Sequence, residues 1–596
     1  MIEHKKNLYD LTTGISVTSL SSFSSPGDEY RAAFEEHSQP FLDYRTFDGK
    51  SIQKRTLTRG EFWDLAYSGA AYLTEQGLSK GDRVVHCFSY NNLYDLVFRL
   101  AAVLVGCVPV TVNWQADSNE TIRYKAEVTE AKLMLYDDGF AHRVKEMKPN
   151  LLNMSFLEAR KVEEYQATSP VVCPPLSYDD ERMVIFTSGT TGKPKGVSLS
   201  HRSYLASRLT FEQYFGMSKT TQLDLLLVNP LHHANSSALL DWGMRRSDTV
   251  VHLLQRYTTA YWKILAEVAS QKRDLLVTSV VPRHIDFLEA LSAESKPPIK
   301  KAEIKKALSQ TDILIGSAPV GPTTIKRILN FSNRLPHVRF GSTETCLEVM
   351  ATPATIPPDE LMKAFEVGWS HRYKGEATVG YYIGREHFPF TRVKVVRAID
   401  PESNDYFRPC EIGEPGYLIT QGANVMSYYV GDAEATRGAF REGWYTGLRD
   451  IAFALRNERD GQLDYYWMSR DSALLIRGGA NYAYEQVATE LNKVLVEDFH
   501  LKAEQFKLAV VGLRVESEHE DKCCVTIELS QEAADIKAQL EASFIEKAGN
   551  RVSKGARPDY VQLAPIPLNF KGAIIVSELK QNFRKLLEHK GVVIYD

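Results

Sequence analysis

At 596 residues the chain is too long for a single hydrophobic core, so two or more domains are expected. Apolar residues make up 44% and charged residues 24%, the balance of an ordinary globular protein. The 71 basic and 75 acidic side chains nearly cancel, which argues against nucleic acid or an anionic membrane as a partner.

The cysteines and the apolar stretches indicate a cytoplasmic protein. None of the seven cysteines forms a CxxC pair, so reduced thiols are expected, and the N-terminus lacks the apolar stretch of a secretory signal. The most apolar segment, Leu96 to Val112, contains Arg99 and Pro109 and is short for a bilayer. It predicts a buried helix, a turn at Gly106 and a strand, with no membrane span.

Helical and strand patterns alternate along the chain. Residues 60–76 place Phe62, Ala66, Ala70 and Leu73 on one helical face, and the strand RVVHCFS follows after a turn. A second helix and the strand VPVTVN continue the alternation, which indicates βαβ units.

The predicted fold class is therefore α/β. A large N-terminal domain, residues 1–469, has mixed, mostly parallel sheets, and the glycine- and aromatic-rich residues 421–447 predict a β-rich subdomain within it. After about residue 470 the pattern restarts, which predicts a small α+β C-terminal domain, residues 470–596.

A phosphate-binding loop is the strongest local pattern, in the segment Met183–His201, MVIFTSGTTGKPKGVSLSH. An apolar strand runs into glycines that let amide groups approach an anion, followed by lysines that supply charge. It is not a Walker loop, because Pro194 follows Lys193 where that motif needs serine or threonine. The predicted ligands of the phosphates are Thr187, Ser188, Gly189, Thr190, Thr191, Gly192, Lys193 and the catalytic Lys195.

TSGTTGKPKG resembles the signature of the adenylate-forming superfamily. That superfamily comprises acyl- and aryl-CoA synthetases, adenylation domains of peptide synthetases and firefly-type luciferases. The resemblance implies ATP and Mg²⁺ as substrates, a large N-terminal domain and a small C-terminal domain that is mobile.

Further motifs of the superfamily follow in order. NPLHHANSS places His233 at the position that lines or gates the acyl pocket, and GSAP resembles the segment along the nucleotide. In FGSTE a flat aromatic ring suits adenine and a hard carboxylate suits Mg²⁺. The resemblance assigns the nucleotide to Gly316, Ser317, Ala318, Pro319, Phe340, Gly341, Ser342 and Thr343, catalysis to Thr343, Glu344 and His233, and the metal to Glu344.

Two nucleotide contacts are expected near the end of the large domain. Relatives read GWYxTGD, with the aspartate on both ribose hydroxyls, whereas this chain reads GWYTGLRD and displaces the carboxylate to Asp450. Arg470, at the start of the segment that resembles the interdomain hinge, matches an arginine that contacts the nucleotide.

The last motif departs from the family. Relatives carry a pattern like LPKTxxGKIxRxxL, and IPLNFKGAIIVSEL puts Ala573 where their catalytic lysine stands. That lysine offsets charge in the adenylation transition state. Lys571, across Gly572, is one replacement; another lysine such as Lys554 is a second; an impaired adenylation step is the third reading.

The resemblance predicts an AMP-forming acid–thiol ligase that adenylates a small carboxylic acid and passes the acyl group to coenzyme A. One alternative is an amine, a hydroxyl or the thiol of a separate carrier protein as acceptor. Another is a degenerate nucleotide-binding homologue, motivated by Ala573. The acid pocket is expected at 233–237, 316–319 and 340–346, with Trp242 as a further candidate.

Overall fold

The structure is a computed structural model. It describes residues 23–49, 51–151, 153–166, 170–187, 193–293, 299–317, 320–374, 376–377, 380–470, 474–477, 480–515, 517, 520–567, 574, 576–592 and 594–595.

Strands and helices alternate over most of the chain. In chain order the strands are β1 (Pro40–Phe47), β2 (Ile52–Thr58), β3 (Arg83–Cys87), β4 (Val108–Thr111), β5 (Leu133–Tyr136), β6 (Ser155–Glu158), β7 (Glu181–Thr187), β8 (Lys195–Ser200), β9 (Leu223–Leu227), β10 (Thr249–Leu254), β11 (Leu275–Val280), β12 (Asp312–Ile315), β13 (His337–Phe340), β14 (Met350–Ala351), β15 (Arg372–Tyr373), β16 (Glu376–Ala377), β17 (Tyr381–Glu386), β18 (Thr391–Val396), β19 (Gly416–Gly422), β20 (Tyr428–Val430), β21 (Phe440–Arg441), β22 (Trp444–Arg456), β23 (Leu463–Arg470), β24 (Leu474–Arg477), β25 (Ala480–Ala483), β26 (Phe506–Val515), β27 (Asp521–Leu529), β28 (Tyr560–Leu563) and β29 (Ile594–Tyr595). The α-helices are α1 (Pro26–Ala33), α2 (Arg59–Glu75), α3 (Leu93–Val105), α4 (Asn119–Val128), α5 (Ala141–Met147), α6 (His201–Tyr214), α7 (Ala234–Met244), α8 (Tyr261–Ala269), α9 (Pro282–Ala293), α10 (Lys301–Ser309), α11 (Pro322–Ser332), α12 (Pro358–Trp369), α13 (Ala433–Ala439), α14 (Tyr484–Asp498), α15 (Lys537–Arg551) and α16 (Val576–Glu588).

Local sequence accounts for the first βαβ unit. Helix α2 begins at a capping box in which Thr58 and Glu61 bond each other's backbone amides, and its predicted apolar face is buried. Helix α3 is apolar on nearly every side and ends at Gly106, whose φ of 79° is the left-handed conformation that glycine adopts without strain. Strand β4 follows, as the sequence predicts.

Two large mixed sheets build the N-terminal part. One has the order β20-β8-β7-β4-β3-β5-β6, in which β7, β4, β3, β5 and β6 run parallel. The other has the order β18-β19-β22-β23-β17-β14-β13-β12-β11-β9-β10-β1-β2, with β21 beside β22. Its β13–β1 half is parallel and its β18–β14 half is antiparallel, so the predicted α/β class with mixed sheets is confirmed. The antiparallel strands lie between residues 350 and 470, whereas the predicted β-rich residues 421–447 also contain helix α13 and strand β20 of the other sheet.

The C-terminal residues form a sheet and a core of their own. Strands β28-β27-β26-β29 make one sheet, and the hairpin β24–β25 stands beside it. Helices α14 and α16 cover β26, and the apolar cluster there draws on residues 475 to 587. Among the described residues, no helix combines the length and the apolarity that crossing a bilayer requires.

Candidate functional site

A cleft of about 2330 Å³ lies where the two N-terminal sheets and the C-terminal unit meet. The carboxyl ends of β4 and β7 face it from one sheet, and those of β11, β12 and β13 from the other. Ligands of open parallel sheets bind at this edge of the strands. The C-terminal unit contributes residues of β24–β27 and of α14 and α16.

Most predicted site residues that the structure describes line this one cleft. They are Thr187, Lys193, His233, Gly316, Ser317, Phe340, Gly341, Ser342, Thr343, Glu344 and Asp450. Ser188, Gly189, Thr190, Thr191, Gly192, Ala318, Pro319, Lys571 and Ala573 lie outside the described residues. Lys554 is exposed on a short 3₁₀ turn of the C-terminal unit.

The predicted phosphate loop connects two antiparallel strands, β7 and β8, with Thr187 opposite Lys195. The ammonium of Lys193 lies 5.3 Å from the centre of the Tyr124 ring, and that of Lys195 lies 5.1 Å from the centre of the Tyr429 ring. Cation–π contacts of this kind hold both lysine heads where the chain leaves the loop and enters β8.

Glu344 is fixed from the neighbouring sheet. The Tyr429 hydroxyl donates to its Oε1 at 3.1 Å, and the Met426 amide donates to its carbonyl oxygen at 2.6 Å. Tyr429 therefore connects Lys195 to Glu344. Gly341 beside them is required sterically, since a Cβ there would lie 2.0 Å from the Leu347 carbonyl oxygen.

Glycine is also required sterically at position 316. A Cβ at this position would lie 2.8 Å from the carbonyl oxygen of Arg339 on the adjacent strand β13. Ser317 follows with a φ of 66°, an uncommon conformation for a residue other than glycine. The chain thus turns sharply out of β12 into the cleft.

A bulge in β22 accommodates the displaced aspartate. In the ladder between β22 and β19, Tyr445 is opposite Thr420 and Asp450 is opposite Leu418. Residues 446–449 therefore face only Ile419, and Arg449 takes a φ of 53°. The bulge absorbs the altered spacing and returns Asp450 to the ladder.

Asp450 is buried and oriented by an indole. Trp467 Nε1–H donates to its Oδ1 at 2.8 Å, and the Asp450 backbone lies opposite that of Arg470 across β22 and β23. Sequence reasoning missed Trp467, because a tryptophan in an aromatic strand is most often a core residue.

His233 precedes α7 in extended conformation, half-buried at the cleft. Burial, reinforced by the ammonium of Lys125, lowers the pKa of His233 to about 4. The imidazole is therefore neutral at physiological pH. Its ring lies 4.3 Å from that of the buried His232.

The expected acid pocket is lined by polar groups. Asn235 Nδ2 donates to Ser279 Oγ at 2.8 Å, and Asn229 Nδ2 donates to the Ser279 carbonyl at 3.1 Å. Asn229, Asn235, Ser279, His284 and Tyr257 all face the cleft. Trp242 is instead in the core, with its ring stacked on Phe211 at 4.8 Å.

Sequence reasoning also missed Lys125, which lies on α4. This lysine is buried beside the cleft and paired with Asp117. No motif includes this lysine. Only its position on the inner face of an amphipathic helix could have identified it from the sequence.

Comparisons with known proteins identify the family of the chain. The model of the family described as AMP-binding enzyme matches residues 34–430. The chain is 24% identical over 447 residues to a 2-succinylbenzoate–CoA ligase of Bacillus velezensis, covering 74% of this chain and 78% of that one. It is also 24% identical over 537 residues to the long-chain fatty acid–CoA ligase FadD13 of Mycobacterium tuberculosis, covering 88% and 93%.

Solved structures share the fold. The o-succinylbenzoate–CoA synthetase MenE of Bacillus subtilis, with a product analogue bound, matches with a TM-score of 0.72 at 19% identity, over 93% of this chain and 97% of that one. ATP-bound MatB of Rhodopseudomonas palustris matches with a TM-score of 0.59 at 19% identity, over 94% and 99%. The predicted membership of the adenylate-forming superfamily is confirmed: the chain belongs to the AMP-binding enzyme family.

Proposed function

We propose that the protein is an AMP-forming acid–thiol ligase, which adenylates a carboxylic acid with ATP and transfers the acyl group to coenzyme A. One observation carries the proposal: four separate segments line the same cleft, and they contribute Thr187 and Lys193, His233, Glu344, and Asp450. The names of the relatives, which are CoA ligases, support the reaction type.

In the first step a carboxylate oxygen attacks the α-phosphorus of ATP, and the bond to pyrophosphate breaks. Phe340 would stack on adenine, Gly316–Pro319 and Gly341–Thr343 would lie along the nucleotide, and Asp450 would accept from the ribose hydroxyls. Thr187–Lys193 would surround the phosphates, and Lys195 would add its charge. Catalysis comes from positioning and from charges fixed before the reaction begins.

Glu344 fits a magnesium ion. Mg²⁺ is usually held by one or two carboxylates together with the phosphates of its nucleotide and water. The Glu344 carboxylate lines the cleft and is held by the Tyr429 hydroxyl. Mg²⁺ bound there would neutralise charge on the leaving pyrophosphate, and MenE has been solved in complex with ATP and a magnesium ion.

In the second step the acceptor thiol attacks the acyl carbonyl, and AMP leaves. The neutral His233 would gate the acyl pocket. Arg470 would contact the nucleotide, and Lys571 would replace the lysine missing at Ala573. We further propose domain boundaries at 1–469 and 470–596, because the C-terminal residues have a separate core, and a mobile C-terminal domain that rotates between the two steps.

The polar lining favours a small or polar acid over a long alkyl chain. Asn229 and Asn235 each donate a hydrogen bond to Ser279. An alkyl chain packed against these groups could form no hydrogen bond with them. A polar acid group could replace or extend those hydrogen bonds.

The experiment is incubation with ATP, Mg²⁺ and a panel of carboxylic acids, with release of AMP and pyrophosphate as readout. Release of AMP that requires coenzyme A is the expected result. AMP release that requires an amine, an alcohol or a carrier-protein thiol would replace coenzyme A as the acceptor. Binding of ATP without any turnover would contradict the ligase and leave a nucleotide-binding homologue.

A further inference from the structure

Lys125 is the buried lysine of the cleft. It lies on α4, and its side chain is 3% exposed. Lys125 lies outside every motif of the superfamily quoted above, and Ala573 stands where the usual catalytic lysine of the superfamily would be. Any cation already fixed in the cleft is therefore a candidate for part of that charge.

The topology places Lys125 beside the end of β7, from which the chain enters the predicted phosphate loop. Strands β4 and β7 are parallel neighbours, with Val110 opposite Val184, so their carboxyl ends lie at one edge of the sheet. The segment after β4 leads into α4, and the Phe186–Thr187 end of β7 leads into the loop. Lys125 Nζ lies 4.8 Å from the centre of the Phe186 ring.

The ammonium has capacity for a ligand. It donates to Asp117 Oδ2 at 2.5 Å, and this is its one hydrogen bond to the described residues. An ammonium carries three N–H donors. Two donors are therefore left for other partners, and Lys125 is among the residues that line the cleft.

Asp117 is held independently of the lysine. Its Oδ2 also accepts from the Asn113 amide at 2.7 Å, and its carbonyl oxygen accepts from Arg143. A buried ion pair is often no more stabilising than apolar residues of the same size. A contribution to stability therefore does not explain why a lysine is buried at this position.

On the other side Lys125 is close to the acyl gate. Its charge acts on both His232 and His233, where it adds to burial in lowering the pKa of each imidazole. Lys125 thus contacts the end of the strand that leads into the phosphate loop, and it lines the same cleft as His233. This is the space in which an acyl carboxylate and an α-phosphate would meet.

We propose that Lys125 binds the α-phosphate and the acyl carboxylate, and so supplies from the N-terminal unit charge that Ala573 cannot. The inference rests on the proposed function. Because Lys125 is fixed in α4, it serves both half-reactions, whereas a lysine of a rotating C-terminal domain serves only one.

The test compares AMP with adenosine, which lacks the phosphate, as calorimetric ligands of the full-length protein. Lys125→Met is expected to raise the Kd of AMP about 10- to 100-fold, the loss expected of a charge-assisted contact, and to leave the Kd of adenosine within about twofold. Lys132→Met is the matched control: Lys132 is exposed and also pairs with an aspartate, Asp82. It should change neither Kd.

Two further variants separate binding from folding. Lys125→Arg keeps the charge and should retain most of the AMP affinity. Lys125→Met combined with Asp117→Asn removes both charges, leaves no buried carboxylate without its partner, and should lose AMP affinity like the single variant.

The outcomes are distinct. Wild-type protein that binds AMP, with Lys125→Met binding it equally well or losing AMP and adenosine alike, would overturn the inference alone. Wild-type protein that binds neither ATP nor AMP would overturn the proposed function and the inference with it. In ATP–pyrophosphate exchange, a rate lost in Lys571→Ala but unchanged in Lys125→Met would also contradict the role of Lys125.

Discussion

At the residue scale, Asp450 is the predicted ribose ligand, and a bulge in β22 precedes it. The sequence puts it one residue later than the GWYxTGD pattern does, and after the bulge over residues 446–449 it lies opposite Leu418. The Trp467 indole then fixes the carboxylate by donating to its Oδ1. A ribose that donates two hydroxyls to one carboxylate gains hydrogen bonds to a charged acceptor, which are among the stronger ones in proteins.

Asp450→Asn should weaken AMP binding about 10- to 100-fold, because hydrogen bonds to a charged group contribute about 1.5–3 kcal/mol. It should also remove discrimination between AMP and 2′-deoxy-AMP. Calorimetry with both nucleotides measures this. Trp467→Phe, which removes only the indole donor, should have a smaller effect, and an Asp450→Asn variant that still prefers the ribonucleotide would rule out the ribose contact.

Glu344→Gln should impair the binding of Mg²⁺ and leave the binding of the nucleotide itself unchanged. The amide keeps the size of the side chain and loses the charge that Mg²⁺ requires, so ATP–pyrophosphate exchange should fall about 10²–10³-fold, as for one lost transition-state contact. Binding of AMP without Mg²⁺ should be unaffected. Equal exchange rates for variant and wild type would show that Glu344 does not hold the metal.

At the element scale, α7 carries His233 at its start and a buried charge network at its end. Asp241 accepts from Arg245 Nε at 2.6 Å, from Arg182 Nε at 3.1 Å and from the Tyr30 hydroxyl. Arg245 also pairs with Glu29 of α1. The network holds α7, which begins after His233, against helix α1.

Asp241→Asn should lower the free energy of unfolding by about 3–5 kcal/mol, because it leaves buried guanidinium groups without their carboxylate. Urea unfolding followed by tryptophan fluorescence is suited to this, since all seven tryptophans precede residue 470. Arg31→Gln breaks the exposed pair of Arg31 with Asp28 on α1 and should cost less than about 1 kcal/mol. Similar losses in the two variants would contradict the structural role of the network.

Much of this architecture could be predicted from the sequence, and particular residues show the limit. The buried face of α2 follows from local periodicity, and the turn at Gly106 follows from the backbone preference of glycine. Tertiary packing only reinforces these two features. Lys125, Trp467 and Tyr429 act through partners far away in sequence, so no local pattern marks them. The bulge before Asp450 likewise arises from pairing with β19, which the sequence does not reveal.

At the scale of the whole molecule, the cleft is completed by contacts between the N-terminal and C-terminal units. Arg514 of β26 donates to the Tyr381 hydroxyl at 2.5 Å, and Arg283 of α9 lies 3.6 Å from Glu520. The Tyr381 ring lies 5.9 Å from that of Trp467, which orients Asp450. The position of the C-terminal unit is thereby connected to the expected ribose site.

Acid should destabilise the N-terminal unit before its carboxylates titrate. Burial lowers the pKa of His284 to about 4, and its Nδ1 lies 3.2 Å from the Val281 amide, an acceptor position that protonation removes. Since the unfolded pKa is near 6.5, the unfolded chain binds the extra proton between pH 6.5 and 4, and stability falls as the pH falls through this range. Between pH 7.5 and 5 this one histidine should account for about 2 kcal/mol.

Urea unfolding of wild type and His284→Gln at both pH values tests this directly. The variant should lose about 2 kcal/mol less than wild type on acidification, since glutamine does not titrate in this range. An identical loss in both proteins would show that His284 is not kept neutral by the fold.

The central claim is that the cleft binds the nucleotide of an adenylation reaction, and calorimetric titration of the wild-type protein with ATP and Mg²⁺ tests it most directly. We predict saturable binding at one site per chain, competed by AMP and strongly weakened in Asp450→Asn. A protein that is folded at every concentration used and shows no affinity for ATP or AMP would contradict the account.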